Sequence, residues 1–252
     1  MDYRNLSYES RGAIGVLTLN RPDKLNAISL EFANELNTFF AELRRNLQTR
    51  VIIVRNEGQV FSAGIDLQDV GKVMEGATSE SGLGKMQYGY RFGQIYQEIV
   101  MNMRQAPQPL IAAIRGPAVG AGFSLAMACD VRIAGESARF SAAFVRVGLS
   151  GGDMGSSYFL PRLIGLSRAA EYLFTGRFIE ATTAERIGLV SRIVPDNEVD
   201  AAALGLAEEM LQVSPFGLRM TKEVLNLNPQ CQVRPWSSDQ ASWELPRLRT
   251  HI

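Results

Sequence analysis

The sequence predicts an α/β fold followed by a helical C-terminal region. Short apolar runs typical of buried strands alternate with longer segments whose apolar residues recur at helical spacing. The chain has 252 residues, of which 46% are hydrophobic and 21% charged, so it can bury one large core. The last periodic segments, residues 196–213 and 215–226, both follow the helical pattern. We therefore expect one α/β domain, or one such domain with a helical appendage.

The first third of the chain predicts a strand, a helix and a second strand. Residues 14–20, IGVLTLN, alternate apolar and small residues and end at a turn signal, Arg21-Pro22-Asp23. Residues 30–47 carry apolar side chains at helical spacing, the last of them at Leu47, and predict an amphipathic helix. Residues 51–56, VIIVRN, form a fully apolar run of the kind that makes a buried strand.

The middle of the chain continues the alternation. Residues 75–85 are rich in Gly, Ser and Thr and predict a surface loop. A helical stripe over 92–103 stops before the prolines of APQP. Residues 110–116 and 130–135 predict two further strands, and 167–176 predicts a helix that ends on a glycine.

Charge, cysteine and histidine content exclude several classes of function. Lys plus Arg and Asp plus Glu both number 26, so no basic excess indicates nucleic acid or an anionic membrane. No apolar run is long enough to span a bilayer, and the N-terminus has no secretory core. Two cysteines and one histidine, His251, make a zinc site or a His-based triad difficult to build. We expect a cytoplasmic protein without a metal.

Residues 116–130, GPAVGAGFSLAMACD, contain seven Gly or Ala residues around one hydroxyl, Ser124. Two interpretations compete. In the first, Ser124 is a nucleophile on a strand-to-helix turn, as in hydrolases. In the second, the backbone is the functional group, and the side chains are small so that a ligand can approach it. The nucleophile needs a histidine base, and His251 lies beside the chain end, so the second interpretation is favoured.

The backbone interpretation is supported by a second segment of the same design. A helix beginning near Ala121 leaves its first amides without intrahelical partners, at the positive end of the helix dipole. Residues 61–67, FSAGIDL, likewise pass from small residues and a glycine into a predicted helix. Two such turns, each offering one amide, could together bind a carbonyl oxygen on which negative charge develops.

The segments FSAGIDL and GPAVGAGFSLAMACDVRIA resemble the two signature segments of the crotonase (enoyl-CoA hydratase/isomerase) family. RPDKLNAIS and TGRFIEATTAERIGLVSRIVP resemble further segments of that family, so the resemblance covers most of residues 10–225. It implies a crotonase-type spiral of ββα units over residues 1–195, carrying the site. It also implies a C-terminal helical region, 196–252, that assembles homotrimers or dimers of trimers. The implied substrate is an acyl-coenzyme A thioester, with coenzyme A as part of the substrate and no permanently bound cofactor.

The same resemblance implies particular site residues. The two oxyanion amides would be those of Ile65 and Ala121, the latter following Gly120 in the glycine-rich turn. The coenzyme A site would be lined by six residues from three segments, with the first of them near the nucleotide phosphates: Lys24, Ala27, Ala63, Asp66, Leu67 and Gly120.

The sequence departs from the family's hydratases at both catalytic glutamates. The aligned positions hold Ser124 and Phe144, which with Leu149 are expected to line the acyl pocket. One acid remains nearby, Asp153, on a Gly-Gly-Asp loop. It could act as a lone acid and base with a raised pKa, or it could cap a helix starting near Met154; both roles can coexist.

Proton-shift chemistry of the isomerase type is therefore the leading functional prediction. The alternatives are enoyl-CoA hydration by residues not identified, an acyl-CoA-binding protein without catalysis, and, more remotely, a serine hydrolase. The segment after Asn228 lacks the helical periodicity of the family's last helices, and its prolines and tryptophans make this tail atypical.

Overall fold

The computed structural model describes residues 3–68, 71 and 85–227, with the backbone alone at 85–89 and 91. The strands are β1 Leu6–Arg11, β2 Ile14–Leu19, β3 Val51–Asn56, β4 Leu110–Ile114, β5 Pro117–Val119, β6 Val131–Gly135, β7 Arg139–Ser141, β8 Ile179–Glu180 and β9 Arg192–Val194. The helices are α1 Leu30–Leu43, α2 Lys85–Gln105, α3 Ala121–Ala128, α4 Ser156–Ile164, α5 Leu166–Thr175, α6 Ala181–Arg186, α7 Val199–Leu211 and α8 Pro215–Leu227.

The main sheet has six strands in the order β1-β2-β3-β4-β6-β9. β1 and β2 form an antiparallel hairpin, and every later neighbour is parallel. Parallel neighbours need crossover connections, which α1, α2 and the β5–α3 segment supply. A smaller sheet, β5-β7-β8, is formed where the chain leaves β4 and β6. Strand, strand and helix thus repeat along the chain, and the predicted α/β spiral fold is confirmed.

Both faces of the main sheet are covered, which explains why its strands read as apolar runs. One face packs against α1, α2 and α3, for example through Leu17, Ile52 and Ala112. The alternate residues point to the opposite face and pack against α7 through Val199 and Ala203. The first C-terminal helix is therefore a layer of the core.

One predicted boundary needs correction, and one strand was not predicted. The helix predicted over 30–47 ends at Leu43, and Leu47 is exposed. The cause is Asn46, whose side-chain oxygen accepts the amides of Gln48 and Thr49 at 2.9 Å and so competes with helix continuation. The strand β1 was not predicted, because apart from Leu6 its residues are exposed and largely polar.

Other elements agree with the sequence. Helices α2, α5, α7 and α8 lie where the apolar periodicity predicted them, and α5 ends at Gly176 in a left-handed conformation. The predicted loop over 75–85 falls outside the described residues except for Lys85, and so do residues 228–252. Within the part of the chain that is described, none of the helices combines the length and apolarity needed to cross a membrane.

Candidate active site

The first of two facing turns, the 62–66 turn, leaves one amide available. Ser62 N–H donates to the Pro117 carbonyl at 3.2 Å, Ala63 to Leu25 at 3.0 Å and Asp66 to Ile28 at 3.0 Å. Gly64 N–H donates to Ser62 Oγ at 3.2 Å. The remaining amide of the turn, that of Ile65, donates to none of the described residues.

The second turn, the 118–122 turn, has the same property at Ala121. Gly120 has φ +49° and ψ −117°, which a residue with a side chain rarely adopts, and its N–H donates to Ser141 at 2.8 Å. α3 then begins at Ala121, and Ser124 N–H makes the first helical bond back to Gly120. The Ala121 amide therefore has no partner among the described residues, at the N-terminus of a fully buried helix.

The two turns are held against each other by backbone contacts. Val119 N–H donates to the Ser62 carbonyl at 2.9 Å, and Ser62 and Ala118 form a parallel bridge. A β-carbon on Gly64 would lie 2.8 Å from the Val119 oxygen and 3.5 Å from the Ala121 nitrogen. The 62–66 turn thus approaches the Ala121 amide so closely that glycine is required at position 64, where φ is +96°.

Asn26, in the 24–27 stretch predicted to line the coenzyme A site, also fixes the 62–66 turn from the other side, a structural role that the sequence analysis did not assign. Asn26 is fully buried, and its side-chain amide donates to the carbonyls of Glu57 and Val60 at 2.9 and 2.8 Å. The backbone carbonyl of Asn26 accepts a hydrogen bond from Ser62 Oγ–H at 2.8 Å. Asn26 has φ +51°, a conformation that Asn tolerates better than most residues. That preference was the signal available in the sequence.

The structure brings the predicted coenzyme A residues together on one side of this arrangement. Lys24 and Ala63 are exposed, Ala27 is partly buried, and Leu67 is 57% exposed. Leu25 joins the two segments through its bond from Ala63 N–H. Asp66 differs from the others because its carboxylate pairs with Arg21 at 2.7 Å, an ion pair that ties the loop to the turn.

Asp153 lies on a strained turn, the Asp153 turn of residues 153–155, which packs against α2 and α3. Met154 adopts φ 48° and ψ 39°, an uncommon conformation for a residue with a side chain, and Gly155 has φ +79°. Gly151, just before the turn, meets the Leu173 carbonyl so closely that a side chain has no room. The surrounding packing therefore imposes the position of Asp153.

Asp153 is partly buried, and the loss of solvent raises the pKa of its carboxyl above the ordinary value of 3.8. The alternative role predicted for it, capping a helix that starts near Met154, is wrong. α4 begins at Ser156 after Gly155, and the Asp153 side chain caps neither α4 nor the short turn before it. The left-handed Met154 and Gly155 separate Asp153 from the helix.

Ser124 and Phe144, which the resemblance places at the positions of the hydratase glutamates, both lie close to the 118–122 turn. Ser124 is fully buried on α3, with its Oγ 3.2 Å from Ser156 Oγ, a partner that the sequence did not indicate. Phe144 is 3% exposed, and a β-carbon on Gly120 would lie 3.7 Å from its ring. Leu149 is 46% exposed and donates its N–H to the Phe144 carbonyl at 3.0 Å.

The other nucleophile and acid near α3, a cysteine and an aspartate, lie in surroundings that suit a structural role. Cys129 is a buried free thiol whose pKa burial raises to about 12, so thiolate chemistry at neutral pH is disfavoured. Asp130 pairs with Arg104 at 2.8 Å and Lys222 at 3.0 Å. Among the described residues, no cluster of three or more His, Cys, Asp or Glu is placed to hold a metal ion.

Comparison with known proteins identifies relatives over most of the chain. The family model described as enoyl-CoA hydratase/isomerase matches residues 9–235. The Mycobacterium tuberculosis protein named "Probable enoyl-CoA hydratase EchA12" is 38% identical over 215 residues, which are 85% of this chain and 74% of that relative.

Solved structures of enoyl-CoA hydratases and isomerases also superpose on most of this chain. The enoyl-CoA hydratase from Bacillus anthracis superposes with a TM-score of 0.82 at 32% identity, covering 91% of this chain and 85% of that one. A monofunctional enoyl CoA isomerase from M. smegmatis has a TM-score of 0.75 at 34% identity, covering 90% and 95%. Names of both reaction types therefore occur among the relatives.

Proposed function

This chain belongs to the enoyl-CoA hydratase/isomerase family, and from that premise we propose that it shifts a double bond in an enoyl-CoA thioester. The observation that carries the proposal is the combination of two partnerless amides, at Ile65 and Ala121, with a single carboxylate, Asp153. The family's substrate class supplies the thioester oxygen that such amides would bind.

The proposed reaction uses the amides to stabilise charge. In a 3-enoyl-CoA, the Asp153 carboxylate removes a proton from the α-carbon, and the electron pair moves onto the thioester oxygen. The Ile65 and Ala121 amides donate to that oxyanion, which a helix N-terminus further stabilises. The protonated Asp153 then returns the proton to the γ-carbon, which gives the 2-enoyl-CoA.

The pKa of Asp153 suits both halves of this transfer. A general acid and base is most effective when its pKa lies near the working pH, and partial burial moves the pKa of this carboxyl upward in that direction. The carboxylate form must start the reaction. The rate is therefore expected to fall as the pH is lowered through the raised pKa.

Hydration is disfavoured by the same residues. It needs one group to deprotonate water and another to protonate the α-carbon. Ser124 cannot accept a proton at neutral pH, and Phe144 has no polar atom. Ser124 is hydrogen-bonded to Ser156, and the Phe144 ring lies beside Gly120. Neither position therefore carries a carboxylate.

Coenzyme A is proposed to bind along Lys24, Ala27, Ala63 and Leu67 as part of the substrate, without a permanently bound cofactor. The exposure of Lys24 and Ala63 beside the 62–66 turn supports this position. We also propose cytoplasmic homotrimers or dimers of trimers. Support comes from apolar side chains on the outer surface of α8, such as Phe216, which is 72% exposed.

The test compares two assays on the purified full chain. A 3-enoyl-CoA should gain conjugated-thioester absorbance, and Asp153→Asn should reduce this rate by about 10²–10⁴-fold because the acid and base is lost. Asp153→Glu should restore part of the rate, and Glu208→Gln, an exposed carboxylate on α7, should not change it.

Crotonyl-CoA hydration measures the rival reaction. We expect it to be at least about 10⁴-fold slower than in a hydratase that has both carboxylates. Brisk hydration that is unaffected by Asp153→Asn would show that other residues activate water. Absence of both reactions, with coenzyme A still bound, would instead favour an acyl-CoA-binding protein.

A further inference from the structure

A cavity of about 530 Å³ lies between β1 and α1, and none of its lining residues belongs to the facing turns or to the Asp153 turn. We call it the aromatic cavity and define it by four of the residues that line it: Tyr3, Tyr8, Phe39 and Glu42. Its volume lies in the range of small-molecule sites. The proposed reaction makes no use of it.

Three aromatic rings line the aromatic cavity. The buried Phe39 ring contacts both tyrosine rings, with its centroid 5.2 Å from that of Tyr8 and 6.3 Å from that of Tyr3. The ring planes are inclined by 57° and 73°, so the rings surround the space instead of stacking across it. Aromatic faces carry partial negative charge, and several rings around one site are the arrangement that recognises quaternary ammonium groups.

Hydrogen bonds hold both tyrosine walls in place. The Glu35 carboxylate accepts the two backbone amides that follow Tyr3, at 2.8 and 3.0 Å, and so fixes this segment against α1. The Tyr8 hydroxyl is hydrogen-bonded to Thr49 Oγ1 at 3.1 Å. A ligand would therefore meet walls that are already positioned, and little binding free energy would be lost in ordering them.

The charge at the aromatic cavity is negative. Among the described residues, Glu42 is the only charged one in the lining, and it forms no ion pair. Its side chain is exposed, which places the carboxylate at the rim. Burial, and then the nearby carboxylates of Glu42 and Glu35, raise the pKa of the Tyr3 hydroxyl. Both negative charges thus act at the cavity wall, where they attract a cation and repel an anion.

We propose that the aromatic cavity binds the trimethylammonium group of a small organic cation. The methyl groups would contact the three rings, whose faces attract positive charge, and Glu42 would supply the counter-charge. A metal ion or a bare ammonium fits less well, because aromatic rings do not replace the water that such ions give up. This inference stands independently of the proposed function.

Calorimetry of the full chain with choline, and with its neutral isostere 3,3-dimethylbutan-1-ol, tests the proposal. The two ligands fill the same space, so choline should bind at least about 10-fold more tightly through its charge alone. Coenzyme A at saturation should not displace choline, since coenzyme A is proposed to bind beside the 62–66 turn.

Variants locate the bound cation. Tyr8→Leu removes one ring and should weaken choline binding by about 10-fold, whereas Tyr8→Phe keeps the ring and should stay close to the parent. Glu42→Gln should weaken choline binding and leave binding of the neutral alcohol unchanged. Glu208→Gln, an exposed carboxylate on α7, is the matched control and should change neither.

Several results would overturn the proposal. Choline that does not bind saturably, or binds no better than the alcohol, would show that the cavity does not select a cation. Binding that survives both Tyr8→Leu and Glu42→Gln would place the cation elsewhere, and displacement by coenzyme A would place it at the substrate site. Pelleting with phosphatidylcholine vesicles, reversed by choline, would make a lipid headgroup the source. The two-ligand comparison needs no variant, so it decides the matter even if Tyr8→Leu fails to fold.

Discussion

The facing turns at 62–66 and 118–122 differ from the Asp153 turn in what they offer a substrate. The facing turns present backbone: most of their amides are bonded within the fold, and those of Ile65, Ala121 and Gly122 donate to none of the described residues. The Asp153 turn presents a side chain, held in place by a strained backbone at Met154. A backbone donor survives most side-chain substitutions, whereas an acid and base is lost by a single one.

This difference distinguishes the backbone geometry that a family shares from the reaction that one member catalyses. The facing turns depend on glycines and close packing, so the oxygen-binding role proposed for them would be kept wherever that backbone is kept. The reaction depends on which side chains surround the held group. In the proposed reaction, Ser124 and Phe144 stand at the positions where the resemblance places two carboxylates, and Asp153 would supply the one acid and base.

Among variants of the two facing turns, the largest effect is expected from deleting one backbone donor. Ala121→Pro removes the amide hydrogen at the first position of α3, where proline is otherwise tolerated. Loss of one oxyanion donor should lower the rate by about 10²–10³-fold. The measurement is kcat on the 3-enoyl-CoA, and Ala121→Gly, which keeps the amide, should stay within a few-fold of the parent. A correctly folded Ala121→Pro variant with the parent rate would remove Ala121 from the site.

A smaller effect is expected from wedging the two turns apart. Gly64→Ala places a methyl group 2.8 Å from the Val119 oxygen and 3.5 Å from the Ala121 nitrogen, so the two amides must separate. A displacement of this kind can cost about 10²-fold in rate. Gly12→Ala is the matched control, since it has a similar positive φ of +63° and nothing within 4 Å. It should lose about 1 kcal/mol of stability and no activity. Equal rate losses in both variants would contradict the contact.

The sequence predicted the parts of the fold and site that depend on composition. Apolar periodicity located α2, α5, α7 and α8, and small residues located both facing turns. Local side-chain competition was harder to foresee: Asn46 ends α1 early through two side-chain hydrogen bonds. The role of Asn26 was also hard to foresee, because its partners, Glu57 and Val60, are more than thirty residues away in the sequence.

Asp153 illustrates the same limit within the site. Its residue type favoured an N-cap, and no residue pattern indicated that Met154 adopts a left-handed conformation. That conformation delays α4 to Ser156 and leaves the carboxylate uncommitted to the helix. Backbone strain of this kind is set by tertiary packing, here at Gly151 and Gly155, and no local pattern reports it.

The smallest effect is expected in stability, where Asp153→Asn should not destabilise the protein at neutral pH. Burial raises the pKa of Asp153 in the folded state, so the folded state holds its proton more tightly than the unfolded state does. The ionised carboxylate therefore lowers stability at pH values above both pKa values. Melting temperatures should be equal or higher for Asp153→Asn at pH 7, and the gain should fade as the pH falls toward 3.8. A clear loss of stability at pH 7 would assign Asp153 a structural role.

The absorbance of a bound 2,4-dienoyl-CoA tests the central claim most directly, because this conjugated thioester absorbs at longer wavelength when its carbonyl oxygen is polarised. The ligand is added to saturation, and calorimetry confirms occupancy for each variant. The account predicts a red shift with the parent protein, a much smaller shift with Ala121→Pro, and an undiminished shift with Asp153→Asn, since the backbone holds the oxygen and the carboxylate moves the proton. A saturated parent complex without a red shift, or a shift that survives Ala121→Pro and disappears in Asp153→Asn, would contradict it.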